Sequence, residues 1–158
     1  MADTGYDEHE YDVVIIGAGG AGLRAAIESA RQGAKTAIIT KSLLGKAHTV
    51  MAEGGCAAAL ANADDRDGWK VHFHDTMKGS KYLADWRMAE LHAKEAPDRV
   101  RELEQWGAVF DRTPSHVINQ RNFGGHTFPR LAHVGDSTGL EIIRTLQERG
   151  IHEGIDMF

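Results

Sequence analysis

One cysteine, three prolines and no apolar run long enough to span a bilayer mark this sequence by what it does without. Cys56 has no second thiol to pair with, so no internal disulfide is available and redox chemistry would need a cofactor. Its small neighbours Ala57, Ala58 and Ala59 make it a packing residue rather than a reactive thiol. The lack of about 20 successive apolar residues excludes a membrane-spanning helix in this sequence. Met1 to Glu10 is acidic rather than basic and apolar, which excludes a signal peptide and points to a cytosolic chain. Basic charge is scarce too: a net charge of −5 leaves no footprint for nucleic acid, so no nucleic-acid partner is expected. The nine histidines include no pair at the helical zinc spacing and no cysteine cluster assists them, so no metal site is expected. There is no G-x-S-x-G for a serine nucleophile. Glu102 with Glu104, and Asp64 with Asp65, read as solvated surface rather than an acid–base pair.

Glycine, by contrast, is plentiful, and it organises the stretch from Asp12 to Gly55. The apolar run Val13, Val14, Ile15, Ile16 reads as a strand. Gly17, Gly19 and Gly22 follow at the G-x-G-x-x-G spacing, with Ala18, Gly20 and Ala21 between them. If a dinucleotide binds here, Gly17 allows the tight turn, Gly19 lets a pyrophosphate approach the backbone, and Gly22 lets the helix lie close to the sheet. The anion then meets N–H groups at a helix N-terminus. Leu23, Ala26, Ile27 and Ala30 form the apolar stripe of that helix, Gly33 marks its end, and Thr36 to Thr40 supplies a second strand, closing a βαβ unit. About 20 residues after such a fingerprint an acid usually binds the ribose. Here Thr40, Lys41 and Ser42 stand in that place. A long glycine-bearing loop, Lys41 to Gly55, follows and carries His48; its length suggests a ligand contact.

Further on, Asp67 is positioned to cap a helix with Trp69, Phe73, Thr76 and Met77 on its apolar side, ending near Gly79. His72 and His74 should point to different sides of it. Asp85 caps a second helix bearing Trp86, Ala89 and Ala93, and Pro97 fits the first turn of a third, with Val100, Leu103 and Trp106 as its stripe and Gly107 after its end. The three tryptophans fall on apolar sides and are expected in the core. Val109–Asp111 and Val117–Asn119 suggest a hairpin around Pro114 and Ser115. Residues 120–135 show no periodicity and read as an ordered binding loop. Asp136 or Ser137 caps a last helix with Leu140, Ile143 and Leu146, stopped by Gly150, and residues 154–158 start another strand of the first sheet. The fold class is α/β: a Rossmann-like domain with a parallel sheet, read as the amino-terminal part of a longer polypeptide, with 1–11 as a fraying acidic tail and 12–158 as the domain.

The fingerprint Ile16 to Gly22, the strand ending in Thr40, Lys41, Ser42, and the run Ala47, His48, Thr49, Val50, Met51, Ala52, Glu53, Gly54, Gly55 together carry a resemblance. So do R-N-F-G-G from Arg121 and D-S-T-G-L from Asp136. The chain resembles the flavoprotein subunit of succinate dehydrogenase and fumarate reductase over almost its whole length. That resemblance implies FAD bound by the fingerprint, by Lys41 and Ser42 at the adenosine end, and by the 47–55 run, with the 8α-methyl carbon of FAD bonded covalently to His48. Such a bond raises the flavin's potential, which oxidation of a saturated C–C bond needs. Ala47 stands where many relatives have serine, and Phe123 lies in the turn that would approach the dicarboxylate. The implied reaction is hydride transfer from succinate to the flavin, with electrons passing to an iron–sulfur subunit, then to a quinone at membrane-anchor subunits. The catalytic arginine of the family lies later in the chain than Phe158, so no catalytic residue is assigned here and this segment alone is expected to be inactive. The implied location is peripheral, at the cytoplasmic face of the membrane through those partners. Fumarate reductase, L-aspartate oxidase, which lacks the covalent histidine, and a non-enzymatic FAD-binding module remain the alternatives.

Overall fold

The computed structural model describes residues 5–158, so the first four positions of the acidic stretch lie outside the described residues. The chain divides into two compact units, one of residues up to 47 together with 146–158, the other of residues 48–145.

The first unit is the βαβ unit anticipated from the glycines. β1 (Val13–Ile16), α1 (Gly20–Arg31) and β2 (Thr36–Ile39) are joined by β6 (Asp156–Met157) in a parallel sheet of order β1-β2-β6. Val13 pairs with Thr36 and Ala37 with Asp156. Leu23, Ala26 and Ile27 of α1 are fully buried, as their helical spacing requires, and Ala37 and Ile38 of β2 are buried as well. Val14, Ile16 and Ile39 are exposed, so one face of this sheet is open. The Tyr11 hydroxyl donates to Asp156 Oδ2 at 2.7 Å, and the Lys35 ammonium lies 4.7 Å from the Tyr11 ring centre.

The second unit holds β3 (Cys56–Ala57), α2 (Trp69–Gly79), α3 (Trp86–Gln105), β4 (Gln120–Arg121), β5 (Leu131–Ala132) and the start of α4 (Thr138–His152). β3, β5 and β4 form an antiparallel sheet in that order, with Cys56 opposite Ala132 and Gln120 also opposite Ala132. Two-residue strands are too short to carry a readable alternation, which is why residues 120–135 read as one loop in the sequence. Arg112 and Ile118 form an antiparallel bridge, with Thr113 N–H donating to Val117 O at 3.0 Å, so the expected hairpin pairs across a Thr113–Val117 turn.

Several helical expectations change. Asp67 does not cap α2: Gly68 is the N-cap and makes no side-chain cap bond, while the Asp67 carboxylate is drawn inward to Arg130. The buried residues of α2 are His72 and Asp75; Trp69, Phe73, Thr76 and Met77 are half-buried. The two helices expected either side of Pro97 are one helix, with Pro97 inside it and Ala89, Ala93, Ala96, Val100 and Leu103 on a continuous buried stripe. That stripe of small and branched side chains overrides the break proline would otherwise impose. Asp85 does cap α3, accepting from Arg87 N–H at 2.9 Å and Met88 N–H at 3.4 Å. The tryptophans are not core: Trp86 is 53% exposed and Trp69 and Trp106 are half-buried. In α4, Ile143 and Leu146 are buried but Leu140 is exposed. The helix passes through Gly150 to His152, and Gly154, at φ +72°, is the glycine in the left-handed region beyond its end.

Candidate functional site

In the first unit the fingerprint makes the tight strand-to-helix turn that its spacing predicts. Gly17 sits at φ +105°, and its N–H donates to Ile39 O at 2.8 Å, which extends the β1–β2 ladder by one bond and turns the chain into α1. A Cβ on Gly22 would lie 2.0 Å from Gly17 O and 3.5 Å from Ile15 Cγ2, so only glycine lets α1 approach its own strand this closely. Ala18 is buried, and Gly19 is the N-cap of α1. The N-cap has no side chain to bond the first turn, which also holds no acid, leaving Gly20, Ala21 and Gly22 in a helix start suited to an anion. Thr40 follows β2, its N–H donating to Phe158 O at 2.7 Å, and Lys41 and Ser42 are exposed. Ala47, at the end of this unit, is half-buried.

In the second unit the 48–55 run is pinned by three other segments. His48–Met51 forms one turn of 3₁₀ helix, with Ala52 N–H donating to Thr49 O at 3.1 Å and the His48 side chain exposed. Gly139 N–H, at the start of α4, donates to Ala52 O at 2.7 Å, and a Cβ on Gly139 would fall 2.0 Å from Thr49 O. Arg121 of β4 donates through Nη2 to Glu53 O at 2.6 Å and through Nε to Gly54 O at 2.8 Å. Gly54 meets the Phe123 ring, where a Cβ would touch Cε2 at 3.4 Å. Gly55, at φ +122°, packs on Ala132 O, which a Cβ would approach to 2.8 Å. Thus Thr49, Ala52, Glu53, Gly54 and Phe123 are brought together, while Arg121 and Gly139 are structural partners that the motif strings contained but did not assign.

Behind the loop that follows Phe123 lies a buried charge cluster with no sequence signal. The Arg130 side chain, 0% exposed, donates to Asp67 through Nη2 at 2.8 Å and Nε at 3.2 Å, and its Nη1 is 3.0 Å from Asp75 Oδ2. Nη1 forms an ion pair there without hydrogen-bond geometry. Asp75 also accepts from Thr127 N–H and Oγ1, each at 2.8 Å. Burial pushes the Asp75 carboxyl up, but the Thr127 bonds and Arg130 together hold it below its ordinary value. His72 is buried against His92 and His126, ring centres 5.2 and 6.0 Å away, and burial followed by the Arg130 charge lowers its pKa to about 4. The residues expected to form a binding loop are therefore partly a structural clamp: Arg130, Leu131, Ala132 and His133 are buried. Asp64 is half-buried rather than fully solvated, and its bond from exposed Arg66 lowers its pKa to about 2, whereas burial raises the Cys56 thiol.

Residues 12–158 match the FAD binding domain family. The chain belongs to that family. The FAD-binding domain is 47% identical over 149 residues to a fumarate reductase (CoM/CoB) chain of Methanothermobacter marburgensis, covering 94% of this chain and 27% of that protein. It is 42% identical over 158 residues to the succinate dehydrogenase flavoprotein subunit of Rickettsia felis, covering 95% of this chain and 26% of the relative. Its fold matches the Mycobacterium smegmatis Sdh1 complex in the apo form with a TM-score of 0.93 and 61% identity, over 97% of this chain and 28% of the other. The domain therefore spans about a quarter of the length of the relatives it matches. It is an α/β FAD-binding domain of the succinate dehydrogenase and fumarate reductase flavoprotein kind.

Proposed function

We propose that residues 12–158 are the amino-terminal part of the FAD-binding domain of a succinate dehydrogenase flavoprotein subunit, preceded by an acidic tail over 1–11. The observation that carries the reading is the convergence, within the second unit, of the histidine loop, the Arg121–Phe123 strand end and the Gly139 helix start, joined by the Gly139–Ala52 and Arg121–Gly54 bonds. These are three of the segments that carry the family likeness.

Gly17 to Gly22 would hold the pyrophosphate through backbone N–H groups at the start of α1, with Thr40, Lys41 and Ser42 serving the adenosine end. Bound there, FAD would supply the acceptor for a hydride from succinate, giving fumarate, and the route for its electrons to an iron–sulfur subunit and, through membrane-anchor subunits, to a quinone. His48, exposed on its 3₁₀ turn, would hold the flavin through a ring nitrogen bonded to the 8α-methyl carbon. Forming that bond would take one hydrogen from the imidazole N–H and one from the methyl group, and the flavin itself would supply the two-electron acceptor, so no external oxidant would be required. Phe123 supplies an apolar wall for the dicarboxylate, its ring set against Gly54. Among the described residues no helix is long and apolar enough to cross a membrane. Attachment to the cytoplasmic face through partner subunits is the corresponding proposal.

Acid-denatured protein run on a gel should retain flavin fluorescence, and His48→Ala should lose it. Fluorescence that washes off the wild-type protein, or persists in His48→Ala, would sink the covalent assignment. L-aspartate oxidase, the rival without that bond, predicts the first of these results.

A further inference from the structure

We infer that Arg121 is a positioning residue for the flavin attachment loop; the inference rests on the assignment of His48 as the attachment site. One guanidinium binds two successive main-chain carbonyls, Glu53 O through Nη2 at 2.6 Å and Gly54 O through Nε at 2.8 Å, and reaches Asp136 Oδ1 through Nη1 at 3.4 Å. A planar fork that engages neighbouring carbonyls fixes the orientation of both peptide planes, which a single hydrogen bond would leave free to rotate. Upstream, Gly139 N–H holds Ala52 O at 2.7 Å; downstream, Gly55 is wedged on Ala132 O, leaving Glu53 and Gly54 as the part of the run that Arg121 controls. The 3₁₀ turn bearing His48 ends at Met51, and only Ala52, held by Gly139, separates it from the clamped Glu53, so Arg121 and Gly139 together set the direction in which that turn leaves.

The same clamp sets Phe123. Arg121 is two residues before it, and Gly54, whose carbonyl Arg121 holds, lies against the Phe123 ring. Arg121 itself is held in β4 opposite Leu131, so the guanidinium projects from a fixed base. Arg121 thus links the histidine that takes the flavin with the aromatic side chain assigned to the substrate, and touches neither reacting group. Lysine in its place would keep the charge but present a single ammonium, unable to match both carbonyls in one plane.

The test uses the full-length flavoprotein, wild type, Arg121→Lys and Arg121→Ala, prepared without flavin and then given FAD. Total bound FAD and acid-stable flavin fluorescence are followed over time, and KM and kcat for succinate are measured on the fully attached fraction. Arg121→Lys should bind FAD in full yet attach it about 10- to 100-fold more slowly, the cost of a displaced reacting group. It should also raise KM for succinate more than it lowers kcat. Guanidinium ion should partly restore the attachment rate of Arg121→Ala. Attachment at the wild-type rate in Arg121→Lys overturns the inference, as does parallel loss of bound FAD and fold in both variants without guanidinium rescue, which would make Arg121 a purely structural residue. Absence of acid-stable flavin from the wild type would instead overturn the His48 assignment, so the two failures are distinct.

Discussion

At the scale of single residues, glycine has opposite meanings at two positions of the same helix. Alanine normally stabilises a helix interior by up to about 1 kcal/mol relative to glycine. At Gly139 the new Cβ would lie 2.0 Å from Thr49 O and 2.8 Å from Ala52 N, both backbone atoms that cannot move aside separately. At Gly150 its nearest neighbour would be the Met157 methyl at 3.2 Å, the end of a flexible side chain. Gly139→Ala should therefore lose about 3 kcal/mol or more in urea unfolding, while Gly150→Ala should be neutral or gain a few tenths. Equal effects from the two would mean that packing at Thr49 does not decide the first position. Motif strings show that Gly139 is a glycine; only the approach of the 3₁₀ turn shows why it has to be.

At the scale of elements, α3 is where a local rule and the tertiary structure conflict. Pro97 removes an N–H from the middle of the helix and crowds the carbonyl four residues earlier, and a rule based on proline alone ends the helix there. The buried stripe Ala89, Ala93, Ala96, Val100, Leu103 runs past Pro97 without a break in phase, so packing keeps both halves on one axis. Pro97→Ala should restore the missing donor and raise stability by about 1 kcal/mol, read as a higher thermal midpoint. A fall would show that the proline ring packs in a way the helix needs. α2 shows the converse: its apolar residues are half-buried while His72 and Asp75 take the interior, because Arg130 reaches in from the sheet and demands carboxylates. Periodicity registers apolar faces and is blind to a charged one.

At the scale of the whole molecule, two consequences follow from burial. His72 is 1% exposed, its Nδ1 has no partner among the described residues, and its folded-state pKa of about 4 lies below the ordinary 6.5. Between those values the unfolded chain binds the proton that the folded one excludes, so stability is full above about pH 6.5 and falls towards pH 4, by about 3 kcal/mol at the lower end. Urea midpoints from about pH 7.5 down to about 4.5 should decline, and His72→Gln should flatten that slope; an unchanged slope would assign the effect elsewhere. His126, lowered mainly by burial, acts in the same sense. The second consequence is solubility. Ile16 is 87% exposed, beside Val14 and Ile39 on one face of a parallel sheet, a surface that such sheets normally cover. The isolated 158-residue chain should therefore associate in light scattering, and a monodisperse monomer would contradict that expectation.

What the sequence determined by itself is the part written in short-range spacing. The Gly17–Gly22 fingerprint, α1 and its stripe, the parallel β1–β2 pair, the Asp85 cap and the final strand all rest on local patterns, whose geometry is dictated by φ, by helical period and by strand alternation. The tertiary structure alone decided the rest: the pairing of the two-residue strands β3 and β5, the turning inward of Asp67 to Arg130, the exposure of Trp86, and the fork of Arg121 on Glu53 and Gly54. Each joins residues more than 60 positions apart, or depends on which surface is left uncovered once they have met, as for Trp86. A partner that distant leaves no period in the sequence, because its geometry exists only after the chain has closed upon itself.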